Sequence, residues 1–308
     1  MLDETVRSRI VGSIGRMVAQ ANLTDEFGEL ILIPLSRPHK PLGNDPEWPW
    51  SALVIASSRS AGGDEVAAAT VASAVECALA AADVFDEIED GDASDLVDRC
   101  GAAQALNVAG GLLSLAYLLL EHVDDTVRGH MLRSQLGQTM SRFMLAAADG
   151  QHRDLAGEGA GLGPDEALAI AQAKAGMLGA MATRLGALLG LQDEARLADY
   201  ERVGRHLATA GQIANDLRDA SDTMVKSDQG RHKPSLPLTV GPESAVSDTG
   251  SAISFDPVAA LSWIVVEHEL QLARRALDRL RGLGQSVGPL ATLLEQPGVQ
   301  PQRNDRHL

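Results

Sequence analysis

The sequence predicts an all-α protein, and three observations support this fold class. Aromatic residues make up only 3% of the 308 residues, and runs of β-branched residues are short, which disfavours strands. Alanine and leucine, both strong helix formers, are abundant, and hydrophobic residues reach 45%. Apolar residues recur at helical spacing in long segments, as in residues 3–21. We therefore expect a single-domain bundle of about eight helices around one core.

Glycines, prolines and polar residues divide the chain into predicted helices. In chain order the helices span residues 3–21, 50–60, 64–89, 96–120, 124–149, 164–189, 193–222 and 257–283. Residues 35–49 hold four prolines and residues 240–256 are polar, so both are expected to form loops. No segment has the composition of a linker between domains. We expect one helical domain over residues 1–285 and a loosely ordered tail over residues 286–308.

The charge of the chain limits its partners. The formal net charge is −16, so nucleic acids and anionic membrane surfaces are unfavourable partners. Cys77 and Cys100 are the only cysteines and form no disulfide or zinc pattern, which fits a reducing compartment. The N-terminus is charged and lacks the apolar core of a signal peptide. These features predict a cytoplasmic protein.

One segment has the length and composition of a membrane span. Residues 102–120 carry no charge and are about long enough to cross a bilayer. They include Gln104 and Asn107, however, and no second segment of similar length accompanies them. We expect a buried central helix here, without membrane insertion.

The most informative stretch is residues 81–92, AADVFDEIEDGD, in which six residues are acidic. On a helix, Asp83, Asp86 and Asp90 share one face, and Glu87 lies close to it. Like charges this close repel one another, so the face requires a compensating cation. Carboxylates without histidine or cysteine suit Mg²⁺. A solvated acidic helix end explains a single cluster of this kind equally well.

A second acidic stretch, residues 211–222, favours the metal-binding interpretation of the first over a solvated helix end. Gln212, Asp216 and Asp219 share one helical face, and a basic segment with Arg231 and Lys233 follows. Two acidic faces on two long helices predict a facing pair that holds metal ions against a phosphorylated ligand, with the basic residues on the same phosphate. A di-iron bundle would need Glu-x-x-His pairs, and neither acidic helix has a histidine beside its carboxylates.

Five strings in the chain have the form and order of known motifs. They are DEIED at 86–90, GQHRDL at 150–155, AIAQAKAGML at 169–178, QIANDLRD at 212–219 and KPSLP at 233–237. Together they resemble the motifs of trans-isoprenyl diphosphate synthases, the polyprenyl synthetase family with the class I isoprenoid synthase fold. Glu87 and Asn215 each replace an aspartate of the two aspartate-rich motifs. The resemblance extends over nearly the whole chain.

The resemblance implies an isoprenoid synthase bundle with a central active-site cavity, and we also expect a homodimer. It implies an enzyme that ionises an allylic prenyl diphosphate with Mg²⁺ and passes the cation to a nucleophile or an internal alkene. The expected metal-binding residues are Asp86, Glu87, Asp90, Asp216 and Asp219. The expected diphosphate-binding residues are Lys174, Lys233, Arg231, Gln212 and Arg99. The expected catalytic residues are Asp86, Asp90, Asp216 and Lys174.

Two departures from the family bear on the acceptor. The family's GGKR-type string, which binds isopentenyl diphosphate, should precede the helix at 50–60, but residues 46–50 read PEWPW. Arg37 and Lys40 lie upstream and can substitute only if the loop folds back. The RRG string after the first motif is also missing, and Arg99 is the one arginine between that motif and the apolar helix. We therefore expect a prenyltransferase whose acceptor is not isopentenyl diphosphate.

Two alternatives remain open from the sequence. The first is a terpene synthase that cyclises the cation or quenches it with water. Such enzymes steer cations with aromatic faces, and this chain has nine aromatic residues. The second is a non-catalytic subunit that partners an active synthase, which the altered motif positions Glu87 and Asn215 would allow.

The resemblance also indicates the length of the substrate. In the family the cavity floor lies one and two turns before the first motif, where this chain has Ala78, Ala81 and Ala82. Small side chains leave room, so we expect an allylic substrate or a product of C15 to C20 or longer. Close helix packing would explain the same alanines.

Overall fold

The computed structural model describes residues 2–92, 94–123, 129–157, 162–223 and 257–295. Every regular element within these ranges is helical, which confirms the all-α class. The α-helices are α1 Glu4–Gln20, α2 Asp25–Leu35, α3 Pro49–Ala61, α4 Glu65–Asp90, α5 Asp95–Cys100, α6 Ala102–Glu121, α7 Gly129–Gly157, α8 Pro164–Ala171, α9 Met177–Leu188, α10 Glu194–Thr223, α11 Pro257–Gly282 and α12 Gly288–Leu294. A π-helix, Gln172–Gly176, joins α8 to α9.

The central helix is α4, which carries the first acidic stretch at its C-terminal end. It packs against α1, α3 and α6, and Val71, Val75 and Leu79 are buried. α9 packs against both α3 and α10, and α10 packs against α11. The two helices with acidic motifs, α4 and α10, thus belong to two layers that α9 connects.

The ends of α4 follow directly from the sequence. The side chain of Asp64 accepts a hydrogen bond of 2.8 Å from the backbone N–H of Ala67, which caps the N-terminus. Gly91 ends the helix with φ at +66°, a conformation in which glycine has no side-chain penalty. The helix therefore stops directly after Asp90, and its last two turns carry the acidic residues of the first motif.

The predicted helix over residues 96–120 is wrong in two respects. Gly101, with φ at +80°, divides it into α5 and α6. The expected burial of the apolar segment holds for only one face of α6, because Leu112 is buried whereas Leu106 and Leu118 are exposed. In the part of the chain that the structure describes, both α4 and α6 are long and apolar enough to cross a membrane, and α4 lies mostly buried inside the fold.

Three further elements differ from the prediction. α2 has no counterpart among the predicted helices, and the predicted helix over residues 164–189 contains the π-helix. The tail predicted to be loose from residue 286 begins with α12, whose Leu290, Leu293 and Leu294 are buried against the domain. The folded domain therefore extends beyond residue 285. The predicted polar loop at 240–256 lies outside the described residues.

Candidate active site

The acidic end of α4 presents its carboxylates to cations on two sides. Asp86 faces Lys174, which lies in the π-helix. Asp83 and Glu87 face Lys40 and Arg37, which lie in the loop between α2 and α3. The acids at the end of α4 thus belong to two ion-pair clusters, one with Lys174 and one with Arg37 and Lys40.

Lys174 is the cation of the first cluster. Its Nζ donates hydrogen bonds to Asp86 Oδ1 at 3.2 Å and to Asp154 Oδ2 at 2.6 Å. Burial alone would lower the pKa of Lys174, but the charge of Asp86 and the hydrogen bond to Asp154 outweigh it and raise that pKa. The lysine is therefore held as a cation between two carboxylates from α4 and α7.

The backbone around Lys174 explains how α7 reaches it. Lys174 is the third residue of the π-helix, a type of turn that often marks functional sites. Gly150 of α7 packs directly on this turn, since a Cβ at Gly150 would lie 2.7 Å from the carbonyl carbon of Ala173. The close approach places Asp154, one helical turn beyond Gly150, within reach of Lys174.

Arg37 is the cation that binds Glu87. Its two Nη atoms donate to the two carboxylate oxygens of Glu87 at 2.7 and 3.1 Å, and Nη2 also donates to Asp95 at 2.6 Å. The Ser94 hydroxyl donates to Glu87 Oε2 at 2.7 Å. The residue in the second place of the first motif is thus engaged with the α2–α3 loop and with Ser94 before α5.

Lys40 is 7% exposed, and its Nζ lies 2.7 Å from Asp83 Oδ2. Glu76, two turns earlier on α4 and fully buried, accepts hydrogen bonds from the backbone N–H and the hydroxyl of Ser51 at 2.9 and 2.6 Å. Burial raises the pKa of the Glu76 carboxyl, while Lys40 and Ser51 oppose that rise. The loop does fold back onto α4, but both of its cations are paired with carboxylates.

The second acidic stretch lies near the end of α10. Gln212 Nε2 donates to Asp216 Oδ1 at 2.8 Å, one helical turn apart as the spacing predicts. Arg218 donates to the side chain of Asn215. The side chain of Asp219 and the predicted diphosphate-binding residues Arg231 and Lys233 lie outside the described residues.

The donor set for a metal ion consists of carboxylates on two helices. Among the described residues, no three acidic, histidine or cysteine side chains converge into a ready-made metal site. Mg²⁺ is commonly held by one or two carboxylates together with substrate phosphates rather than by a cage of protein ligands. Of the predicted metal ligands, Asp86 on α4 and Asp216 on α10 are partly exposed, whereas Asp90 is buried.

The remaining predicted site residues have mixed surroundings. Arg99 is exposed, and its described ion pair is with Glu29 of α2, at 3.3 Å, rather than with either acidic stretch. Ala78 and Ala81 are fully buried, whereas Ala82 is partly exposed. The predicted site lacked Asp154, although its place as the acid of the GQHRDL string could have indicated it.

Comparisons with known proteins identify the family to which this helical bundle belongs. The polyprenyl synthetase family model matches residues 51–250. The farnesyl diphosphate synthase of Geobacillus stearothermophilus is 27% identical over 203 residues, or 60% of this chain and 67% of the relative. The geranylgeranyl diphosphate synthase of Mycobacterium tuberculosis is 29% identical over 245 residues, or 73% of this chain and 67% of the relative.

A solved structure shows the same fold. The geranyltransferase of Helicobacter pylori, complexed with magnesium and isoprenyl diphosphate, aligns with a TM-score of 0.67 at 14% identity, over 96% of this chain and 97% of that chain. The chain belongs to the polyprenyl synthetase family and is a prenyltransferase-class enzyme. The family resemblance read from the sequence is thereby confirmed.

Proposed function

We propose that this enzyme ionises an allylic prenyl diphosphate of C15 to C20 or longer, with Mg²⁺, and transfers the prenyl cation to an acceptor other than isopentenyl diphosphate. The proposed ionisation step rests on the contact of Lys174 with Asp86. It joins the first aspartate-rich motif to a partly buried ammonium group, at 3.2 Å. Such a cation stabilises negative charge on a leaving diphosphate.

The roles of the chain's residues follow from their chemistry. Asp86, Asp90 and Asp216 would hold Mg²⁺, and Glu87 and Asp219 are secondary candidates. Bound Mg²⁺ supplies positive charge that stabilises the departing diphosphate. Lys174 donates hydrogen bonds to phosphate oxygens as the C–O bond breaks, and Asp154 holds the ammonium in place. The magnesium and isoprenyl diphosphate in the Helicobacter pylori geranyltransferase support this assignment by analogy.

The proposed class of acceptor rests on the charged residues beside the end of α4. A second diphosphate, unlike the allylic one, is not bound through Mg²⁺ in this proposal, so it needs side-chain cations in excess of the nearby carboxylates. Arg37 forms two hydrogen bonds with Glu87 and two with Asp95, and Lys40 is paired with Asp83. Binding a diphosphate there would break these ion pairs and bring its charge close to their carboxylates. We therefore expect a neutral or cationic nucleophile as the acceptor.

The segment that replaces the family's GGKR-type string supports the same conclusion. Trp48 is buried, and its indole N–H donates to the carbonyl of Asp45 at 2.8 Å. The backbone N–H of Glu47 donates to the Asp45 side chain, also at 2.8 Å. The segment thus places an aromatic ring and two acidic residues before α3, a composition unsuited to an anionic ligand.

The length of the prenyl chain rests on the alanines of α4. Ala78, Ala81 and Ala82 precede Asp86 on the helix and have small side chains. The two curated relatives are named for C15 and C20 diphosphates. Both observations support an allylic substrate or a product in this range.

A homodimer is part of the proposal. The outer face of α6 exposes Leu106 and Leu118, and α7 exposes Met131 and Leu145, of which Leu145 is 74% exposed. Such an apolar surface on an acidic protein fits burial against a second copy. Light scattering of the purified protein should give the mass of a dimer, and Leu118→Glu should shift it to that of a monomer. A monomeric wild-type protein would contradict this part of the proposal.

The ionising step is tested by diphosphate release. Purified protein with Mg²⁺ is incubated with geranyl, farnesyl and geranylgeranyl diphosphate, and the released diphosphate is measured. Without the acceptor we expect only slow release from the longer substrates, in which water captures the prenyl cation, with large losses of this release for Asp86→Asn, Asp216→Asn and Lys174→Met. Asp278→Asn, which removes an exposed acid of α11, is the matched control and should keep full activity.

The same assay separates the alternatives. A hydrocarbon or terpene alcohol formed efficiently without an acceptor would support a terpene synthase instead. Absence of release from every allylic substrate, together with co-purification of an active homologous subunit, would support a non-catalytic partner. Either outcome would overturn the proposed transferase.

A further inference from the structure

Glu269 of α11 is a buried carboxylate outside both acidic motifs. It is 1% exposed. Its Oε1 accepts a hydrogen bond from Gln172 Nε2 at 3.0 Å, and its Oε2 lies 2.6 Å from His206 Nδ1 of α10. A buried carboxylate is stable only with hydrogen-bond partners of this kind, so both contacts are expected to be firmly held.

Gln172 is the first residue of the π-helix that holds Lys174. Two glycines bring neighbouring helices close to the same turn: Gly150 of α7, described above, and Gly176, the last residue of the π-helix. A Cβ at Gly176 would lie 2.7 Å from the Thr209 hydroxyl of α10. Packing from α7 and α10 thus confines the turn, and the bond from Gln172 to Glu269 connects it to α11.

The register of this turn determines where Lys174 points. A π-turn contains one residue more than an α-turn, and successive residues of an α-helix are rotated by about 100°. A return to regular α-helix would therefore turn the lysine away from its present partners. We propose that Glu269 is a positioning residue, which holds the π-helix through Gln172 so that Lys174 reaches Asp86 and Asp154. Its effect on catalysis rests on the proposed function of Lys174.

The kinetic test uses variants on either side of this contact. Gln172→Met and Glu269→Leu remove the hydrogen bond, and we expect kcat for diphosphate release to fall on the order of 10- to 100-fold. Glu269→Gln keeps a carbonyl oxygen for Gln172, and its amide N–H can donate to the His206 tautomer that accepts at Nδ1, so it should retain activity close to that of the wild type.

The matched control is Asp199→Leu. Asp199 is another buried acid at the interface of α10 and α11, and its described hydrogen bonds are to Arg202 and Arg279, outside the π-helix. The control should lose thermal stability, as Glu269→Leu does, but keep its kcat. An equal loss of kcat in Asp199→Leu and Glu269→Leu, at equal loss of stability, would overturn the positioning role.

A second readout is independent of catalysis. The chain has four lysines, Lys40, Lys174, Lys226 and Lys233, so lysines labelled with ¹³C at Cε can be resolved by NMR and assigned through Lys174→Arg. At fixed pH we expect the Lys174 signal to move toward that of a solvent-exposed lysine in Gln172→Met and Glu269→Leu but not in Asp199→Leu. An unchanged Lys174 signal in the first two variants would overturn the inference. A moved signal in an enzyme that releases no diphosphate would support the positioning role and contradict the proposed function.

Discussion

The ammonium group of Lys174 lies 3.2 Å from the carboxylate of Asp86, although 88 positions separate the two residues in the chain. The contact joins the end of α4 to the π-helix, and Asp154 of α7 completes it at 2.6 Å. Three segments thus bring one cation and two carboxylates to one place. A diphosphate bound there can exchange hydrogen bonds with Lys174 without leaving the ammonium unpaired.

Asp154 is expected to act through Lys174. Asp154→Asn removes one of the two negative charges beside Lys174 and weakens the hydrogen bond that orients its ammonium group. We therefore expect kcat for diphosphate release to fall about tenfold or more. Asp149→Asn, one turn earlier on α7 and paired only with exposed Arg153 in the described contacts, is the matched control. If both substitutions have the same small effect, Asp154 has no role in the site.

Arg37 is expected to contribute to stability rather than to substrate binding. Arg37→Gln leaves the partly buried Glu87 carboxylate without its bidentate partner, which should cost about 1–3 kcal/mol of unfolding free energy. Urea unfolding measures this cost, and steady-state kinetics should show KM for the allylic diphosphate within about threefold of wild type. A large rise in KM at unchanged stability would instead place Arg37 on a substrate diphosphate.

Ala82 is a better position than Ala81 for a substitution that shortens the prenyl chain of the preferred substrate. Ala82 is partly exposed on α4, so a phenylalanine there has space to enter a cavity. Ala81 is fully buried, so Ala81→Phe should overpack the core and cost about 1–3 kcal/mol. We expect Ala82→Phe to shift the preferred substrate from C20 toward C15 or C10. An unchanged preference in a folded Ala82→Phe variant would show that the cavity follows another direction.

Glu76 should make the protein less stable as pH rises. Burial raises the pKa of its carboxyl above 4.5, so the folded state binds more protons than the unfolded state between the two pKa values. Its contribution to stability is therefore greatest below the unfolded pKa and declines as pH rises through the folded pKa. As pH rises above 4.5, Glu76→Gln should show a smaller decline in unfolding free energy than the wild type. Parallel pH profiles would contradict the assignment.

Local signals in the sequence were sufficient for the fold class and for the helical placement of the two acidic motifs. Asp64 and Gly91 define the ends of α4 through capping and a positive φ, which depend on residue type. The spacing of Asp86 and Asp90, and the pair of Gln212 and Asp216, follow from the helical repeat. The motif strings then supplied the role of Lys174, which no periodicity could provide.

Long-range contacts explain what the sequence did not predict. The π-helix interrupts a segment with regular helical periodicity, and its neighbours Gly150 and Glu269 come from distant helices. The ion pairs that Arg37 and Lys40 form with carboxylates of α4 depend on the path of the loop between α2 and α3, which local propensity does not specify. The split at Gly101 was missed because the surrounding residues are strong helix formers.

The proposed prenyltransferase uses an acceptor other than isopentenyl diphosphate. The most direct test supplies purified enzyme with Mg²⁺, farnesyl or geranylgeranyl diphosphate and labelled isopentenyl diphosphate, and measures both released diphosphate and label in longer prenyl products. We predict slow diphosphate release with capture of the cation by water, no more than trace incorporation of label, and the same slow release when isopentenyl diphosphate is omitted. Efficient incorporation into longer prenyl diphosphates would contradict it and establish ordinary chain elongation.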